Sequence, residues 1–314
     1  MENQFIEALE NRDLRALQSV PKSDLHNHSA LGGRLEYIER ILSVNIPRPG
    51  PHFKIFDGFT DWIDDHIVPL LEGTAGFEMA TEAAFHQARS DGVVVLNMSI
   101  DSSWPSVLDC TVEKLISMID RLHKQCAPGI DFQPELGFSR DRPVEELMER
   151  FEPFLDYDYL KSIDLYKNEF AQPIGNLKPI YRMAKEKGLA LKAHVGEYGD
   201  AGSIREAVEE LELDQVQHGI SAADSPEIMK WLSDNRIQLN VCPTSNVMLC
   251  RVEHMKVHPI KALYDNGVKV TVNTDDVIVF NQGVSEEFMN LYKTGLFSAL
   301  ELDGIRLNGL DTGP

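Results

Sequence analysis

Cysteine is scarce and nowhere paired: there are four, Cys110, Cys126, Cys242 and Cys250, with no C-x-x-C spacing among them. A chain of 314 residues needs no disulfide staples, so the four read as reduced thiols in a reducing compartment. Long apolar runs are missing too. No stretch approaches the roughly 18 to 20 apolar residues that a membrane span needs. Met1 to Ser19 is charged throughout and lacks the apolar core of a signal peptide, so the expectation is a cytoplasmic protein. Positive charge is in deficit, 30 Lys and Arg against 50 Asp and Glu, a net charge of −20. Such a field repels nucleic acid and anionic membranes, and the expected partner is a small molecule. No glycine-rich phosphate-binding fingerprint follows the first candidate strand, which counts against a doubly wound nucleotide-binding sheet. No repeat, low-complexity run or linker divides the sequence, so 1–314 reads as one domain.

What is present fits a large α/β domain. Hydrophobic residues make up 43% and charged residues 25%, enough apolar material for a sizeable core. Short runs rich in β-branched residues fall at 24–28, 93–100, 132–138, 162–166, 190–195, 215–218, 238–242 and 269–273. Amphipathic patterns separate them with the rhythm of strand–helix units. Val112, Leu115, Ile116, Ile119 and Leu122 form one helical stripe, and Ile204, Ala207, Val208 and Leu211 another. Ser203-Ile204-Arg205-Glu206 has the form of a capping box. Ser225-Pro226 reads as an N-cap with proline in the first turn, and Gly188 and Gly267 stand where helices would end. Eight strands interleaved with helices favour a parallel sheet closed into a (β/α)8 TIM barrel, which takes about 250 residues plus insertions. The longest insertion, 33–77, holds Pro47-Arg48-Pro49-Gly50-Pro51 and the aromatics Phe53, Phe56, Phe59 and Trp62. It is expected to form a helical lid over the barrel mouth, the plainer reading being a packing insertion.

A TIM barrel gathers its active site at the carboxyl ends of its strands, and metal-capable side chains concentrate there. His26 and His28 end the first candidate strand, His194 the fifth and His218 the sixth, while Asp275 and Asp276 follow the eighth. Alternate residues of a strand face one side, so both imidazoles of His26-Asn27-His28 can share an ion. Alone, an H-x-H pair is a weak signal. Joined by His194 and Asp275 it makes a set of three imidazoles and one carboxylate suited to Zn²⁺. A catalytic zinc keeps a position for water and lowers its pKa to about 7. In His194-Val195-Gly196-Glu197 the glycine allows a sharp turn, and the Glu197 carboxyl can then serve as general acid or base. The plainer reading of Glu197 is a solvated loop residue. His218 stays open between a ligand, a base for water and a buried structural histidine.

Further pieces carry more information together than singly. They are Pro21-Lys22-Ser23-Asp24-Leu25-His26-Asn27-His28, Asp164-Leu165 with Asn168-Glu169, His194-Val195-Gly196-Glu197, His218-Gly219, Cys242-Pro243-Thr244-Ser245-Asn246, His258-Pro259 and Val270-Thr271-Val272-Asn273-Thr274-Asp275-Asp276. In this order and spacing the chain resembles the adenosine deaminase family of metal-dependent amidohydrolases over most of its length. The resemblance implies one zinc per chain, bound by His26, His28, His194 and Asp275. It implies that Glu197 protonates a ring nitrogen beside the attacked carbon and that His218 orients and deprotonates the attacking water. Asp276 would hydrogen-bond another ring nitrogen, and Gly196 would lie against the substrate. The implied reaction is hydroxide attack on an aromatic carbon bearing an amino group, with loss of ammonia. The substrate would be adenosine or a related 6-aminopurine nucleoside, nucleotide or base. The H-x-E and P-C-x-x-C signature of cytidine-type zinc deaminases is absent.

Two departures concern the substrate. Adenosine-specific members of the family usually continue Leu-Asp-Gly after H-x-H, the aspartate holding the ribose; here Ser29-Ala30-Leu31-Gly32 offers no carboxylate. The glycine that usually follows the fourth strand is replaced by Lys167, which either faces solvent or neutralises an anionic substituent. Unmodified adenosine is therefore not expected to be the best substrate. Lys167 also opens an alternative, a binuclear amidohydrolase in which a modified lysine bridges two metals together with His194 and His218. Such an enzyme would cleave an amide, lactone or phosphotriester. A third reading is a barrel that binds a nucleoside without turning it over. One helical stretch, about 285–302, closes the sequence, leaving a loose end or a surface for a second copy in a homo-oligomer. His52, His66, His86, His123 and His254 have no ligand-like company, and His258 reads as structural.

Overall fold

A computed structural model describes residues 2–53 and 56–311; the side chain of Phe56, from the expected lid, lies outside the described part. Eight strands stand among these residues: β1 (Lys22–Asp24), β2 (Val93–Asp101), β3 (Asp131–Ser139), β4 (Ser162–Tyr166), β5 (Ala190–Val195), β6 (Gln215–His218), β7 (Gln238–Val241) and β8 (Lys269–Val272). They follow one another in chain order, and each pairs in parallel with the next. Helices lie between successive strands, as the (β/α)8 expectation requires. Strand residues such as Leu136, Ile163, Ala193, Val216, Leu239 and Val270 are buried in one continuous core with the helical stripes of Leu115, Ile119, Ile204 and Val208. Burial at about 25 cal/mol per Å² of apolar area is the main term holding such a barrel together. No helix among the described residues is long and apolar enough to cross a membrane.

The seam between β8 and β1 is built differently from the other seven. The run expected as a strand at 24–28 keeps ladder pairing only to Asp24, after a register shift between Lys22 and Ser23. Beyond it, side chains carry the closure. Leu25 N–H donates to Asn273 Oδ1 at 2.8 Å, and Thr274 Oγ1 donates to Asp24 Oδ2 at 2.6 Å. Asp275 N–H donates to the His26 carbonyl at 2.9 Å, and Asn27 and Asp275 form a single parallel bridge. The barrel thus closes at its rim, through the same residues that carry the H-x-H motif and its carboxylate partner.

Local signals mark most helix ends. Ser225 Oγ accepts from Ile228 N–H at the start of the helix Pro226–Asp234, and Gly188 and Gly267 adopt positive φ of +78° and +77° where helices stop. The expected capping box at Ser203 is displaced: Asp200 caps the helix Ala201–Leu211 by accepting from Ser203 N–H. Aspartate is as good an N-cap as serine, and starting there adds Ala201 to the buried face. The single expected helix near the C-terminus is two, Val284–Thr294 and Ala299–Leu310, broken at Gly295. The second of these helices is anchored to the barrel. Arg306 donates to the Pro21 carbonyl at 2.8 Å and Asn308 to the Val270 carbonyl at 3.0 Å, so the last helix underpins the β8–β1 seam.

The insertion between β1 and β2 forms the helices Leu35–Leu42 and Phe56–His66 before the long helix Gly73–Ser90. Its apolar residues make a second cluster, separate from the barrel core. Leu35, Ile38, Ile46, Phe53, Phe59, Ile67 and Leu71 pack there with Leu249, after β7, and with Ile278, Val279 and Phe280 of the short helix Val277–Phe280 after β8.

Candidate active site

The rim brings together side chains from four strand ends. His26 Nε2 and His194 Nε2 are 3.0 Å apart, His28 Nε2 is 3.2 Å from Asp275 Oδ1, and His26 Nε2 is 3.9 Å from the same oxygen. The tautomers follow from the far side of each ring. His26 Nδ1 lies 3.2 Å from the Asn240 carbonyl, an acceptor only, so Nδ1 carries the proton. His194 Nδ1 is likewise spent on Asp164 Oδ1 and the Leu165 carbonyl, at 3.2 and 3.1 Å. Both Nε2 atoms therefore aim lone pairs at one point, which is repulsive unless a cation stands there. Tetrahedral zinc at about 2.0–2.1 Å from nitrogen sets ligand atoms about 3.4 Å apart, close to the spacing found. A metal-binding histidine commonly donates its other ring N–H to a carboxylate or carbonyl, as His26 and His194 do. The donor set fits a single divalent ion of the zinc type.

Electrostatics favour positive charge here. Burial tends to lower His28, but the carboxylates of Asp276 and Asp275 outweigh it and lift the imidazole to about 10. His26, buried and facing His194, is lowered to about 3. Asp275 is held well below the usual carboxylate range: burial opposes ionisation, but hydrogen bonding to His28 and the neighbouring imidazoles prevail.

Glu197 and His218 meet beside this set, with Glu197 Oε2 3.7 Å and Asp275 Oδ2 3.8 Å from His218 Nε2. Burial first, then the charges of Asp275 and Glu169, pushes Glu197 well above the carboxyl range, which favours its protonated form. Burial first, then His26, holds His218 well below its usual value and neutral. Burial also lifts Asp276 to about 7, against the pull of His28. Glu197 Oε1 and Asp276 Oδ1 are buried with no hydrogen-bond partner. Unpartnered buried oxygens are costly in a finished structure, and both residues line the pocket, where a ligand can meet them.

The turn that aims Glu197 is clamped. Gly196 has φ +71°, and a Cβ there would stand 2.5 Å from Ile204 Cδ1. Glu169 accepts the N–H groups of Gly196, Glu197, Tyr198 and Gly199 at 2.9, 2.9, 2.7 and 3.2 Å. The Gly196 N–H, expected near the substrate, is taken by Glu169, and the glycine shapes the turn. Lys167, His218 and Asp275 also have positive φ, of +72°, +63° and +61°. Such strain costs of order 1–3 kcal/mol per residue and survives only where surroundings over-determine it. Lys167 lines the pocket mouth but is exposed. A two-metal centre needs its amine among the imidazoles, so the binuclear reading loses its bridge.

The pocket has a volume of about 470 Å³. His28, His194, Glu197, His218, Asp275 and Asp276 line one part of it, while Phe59, Ile63, Val68 and Leu71 of the insertion, Trp104 and Leu249 line another. Three contributors escaped the reading of sequence: Asp164 behind His194, Glu169 behind Glu197, and Asn246, whose Nδ2 lies 3.1 Å from His218 Nδ1. All three lie in motifs the sequence displays, but their roles depend on contacts between distant strands.

A parallel barrel whose rim gathers side chains able to hold a metal, with a buried acid and a neutral imidazole at the strand ends, has the make-up of a metal-dependent hydrolase of the amidohydrolase class. The family model described as adenosine deaminase matches residues 56–313. The chain belongs to the adenosine deaminase family, and is an enzyme that hydrolytically deaminates aminopurines. A putative adenosine/adenine deaminase of Treponema pallidum is 31% identical over 294 residues, 94% of this chain and 98% of that protein. Adenine deaminase from Arthrobacter aurescens shares the fold with a TM-score of 0.81 at 23% identity, covering 93% of each chain. An amidohydrolase from Burkholderia ambifaria with bound Zn has a TM-score of 0.80 at 19% identity, covering 95% of this chain and 86% of that one.

Proposed function

We propose that this chain removes the exocyclic amino group of adenine or a modified 6-aminopurine in preference to adenosine, using one zinc ion held by His26, His28, His194 and Asp275. When bound, the ion supplies the Lewis acidity that makes water a nucleophile at neutral pH. The remaining work belongs to the chain. Glu197 gives its proton to the ring nitrogen beside the attacked carbon, and Asp276 hydrogen-bonds a second ring nitrogen. A carbon–oxygen bond forms, the carbon–nitrogen bond breaks, and ammonia leaves with one proton of the water. The other water proton restores Glu197. The observation carrying this reading is the buried Glu197 carboxyl with its unpartnered Oε1, beside the converging imidazole lone pairs.

The insertion 33–77 serves as the lid, since Phe59, Ile63, Val68 and Leu71 line the pocket. No carboxylate occupies 29–31 to hold a ribose, and Lys167 at the mouth receives an anionic substituent where the substrate has one. With its deficit of cations the protein acts on small molecules in the cytoplasm, away from nucleic acid and membrane. The test is ammonia release from adenine, adenosine, adenosine monophosphate and N6-substituted analogues by protein with its metal content measured. One zinc per chain and kcat/KM lowest for adenosine are expected. A clear preference for adenosine refutes the substrate assignment, and no release from any purine despite bound zinc refutes the enzyme.

A further inference from the structure

One wall of the pocket carries a carboxylate for which the chemistry above has no use. Asp101 ends β2 and Tyr166 ends β4, and both line the cavity. In a ring of eight strands taken in chain order, β2 and β4 stand opposite β6 and β8, so this wall faces His218 and Asp276 across the mouth. Asp101 is held by two donors: Ser103 N–H donates to Oδ1 at 2.7 Å, and the Tyr166 hydroxyl donates to Oδ2. The tyrosine reaches across β3 because Gly137 lies between. Asp101 pairs with Gly137 in the sheet, and a Cβ there would stand 2.3 Å from Tyr166 Cε1 and 2.5 Å from Ser99 Oγ. The same ring lies edge-on to His28, with centroids 5.6 Å apart, which sets the carboxylate one aromatic ring away from the rim imidazoles. A carboxylate accepts about four hydrogen bonds. Ser103 and Tyr166 supply two, and no cationic side chain pairs with Asp101 among the described residues. Ser99, two residues earlier on the same strand face, also lines the pocket, and its buried hydroxyl has no partner.

The purine reading says what meets this wall. With Glu197 at the ring nitrogen beside the attacked carbon and Asp276 at another ring nitrogen, the edge farthest from that carbon points away from β5 and β8, toward β2 and β4. In a 6-aminopurine that edge holds N3 and N9. N9 carries a proton in the free base and the sugar in a nucleoside. We propose that Asp101, oriented by Ser103 and Tyr166, accepts the N9–H of a free 6-aminopurine base and selects bases over N9-substituted purines. A substituent at N9 removes the donor and sets carbon against the carboxylate. A site built to hydrogen-bond a substrate N–H rejects the analogue lacking it by up to about 10⁴–10⁵. The assignment rests on the deaminase reading and gives its base preference a positive cause, beside the missing carboxylate at 29–31.

The test compares adenine with 9-methyladenine, which differ only in that proton and a methyl group, on the full-length zinc-loaded protein. Wild type should favour adenine in kcat/KM by at least about 10²-fold. Asp101→Asn keeps the shape but turns an amide nitrogen toward the pocket. It should lower kcat/KM for adenine at least about tenfold and leave 9-methyladenine within about twofold, with zinc retained. Tyr166→Phe, which frees the carboxylate to turn, should narrow the ratio less. Equal rates for the two bases in wild type, or an equal fall for both in Asp101→Asn, overturns the proposal. Calorimetry with hypoxanthine and 9-methylhypoxanthine separates the two readings. A binding preference for hypoxanthine without ammonia release from any purine sinks the deaminase alone, whereas turnover with no preference in rate or binding sinks the Asp101 subsite alone.

Discussion

The rim of the barrel and the insertion above it make opposite use of the same pocket. At the rim, almost every side chain is fixed by a directional bond: His26 to Asn240, His194 to Asp164, the 196–199 turn to Glu169, His218 to Asn246. The insertion meets the barrel chiefly through apolar contact, as where the Phe59 and Phe280 rings lie parallel with centroids 5.8 Å apart. Directional bonds hold reacting groups within fractions of an ångström, whereas apolar packing sets only shape and volume. On the proposed function, chemistry belongs to the rim, and choice of substrate to the insertion and the mouth.

The largest effects should come from breaking the rim. Replacing His194 by alanine removes a donor and orphans Asp164, and is expected to abolish zinc binding, read by metal analysis, together with ammonia release. Retention of stoichiometric zinc would contradict the proposed donor set. Glu197→Gln keeps the size and loses the transferable proton. It should lower kcat about 10²- to 10⁴-fold with zinc retained.

Changes in the upper region should sort substrates instead. Phe59→Ala opens the apolar wall and is expected to raise KM roughly tenfold with kcat within about twofold, since one lost apolar contact is worth about 1–3 kcal/mol. A collapse of kcat would place the insertion in the chemistry. Lys167→Met should raise KM about tenfold for a phosphorylated substrate and leave adenine unchanged, as befits one charge-assisted bond. The smallest effect concerns pH. Burial lifts Glu287, which accepts Thr244 N–H, to about 8. A raised carboxyl favours the folded state fully below its unfolded value, and that contribution is shed as pH rises toward 8. The melting temperature should therefore fall from pH 5 to 8, and less steeply in Glu287→Gln.

Much of this was legible beforehand. Seven of the eight strands appear within a residue or so of their periodic runs, because β-branched residues in short apolar bursts report a buried parallel strand directly. The first strand ends sooner than its run suggests. His26 and His28 do reach the site, but the ladder stops at Asp24, and Asn273, Thr274 and Asp275 supply the seam from across the barrel. No local pattern shows a strand being replaced by side-chain stitching. Ser203 reads as a cap because its motif is local, while the true start at Asp200 depends on Ala201 becoming buried. His258 and Glu169 were visible as motif residues without a task. Each acts on a backbone or side chain more than ten residues away, and such a partner cannot be found by spacing.

By itself the sequence determined the class of fold, the number of strand–helix units and the chemical types gathered at the strand ends. Periodicity and the rule that a barrel works at its carboxyl edge are properties of the chain read locally. Only the tertiary structure decided what stands behind each imidazole. His26, His194 and His218 are the same residue in comparable places, and their surroundings diverge through the atom standing behind each ring. A carbonyl or carboxylate behind the first two turns a lone pair toward the site, and an amide stands behind the third.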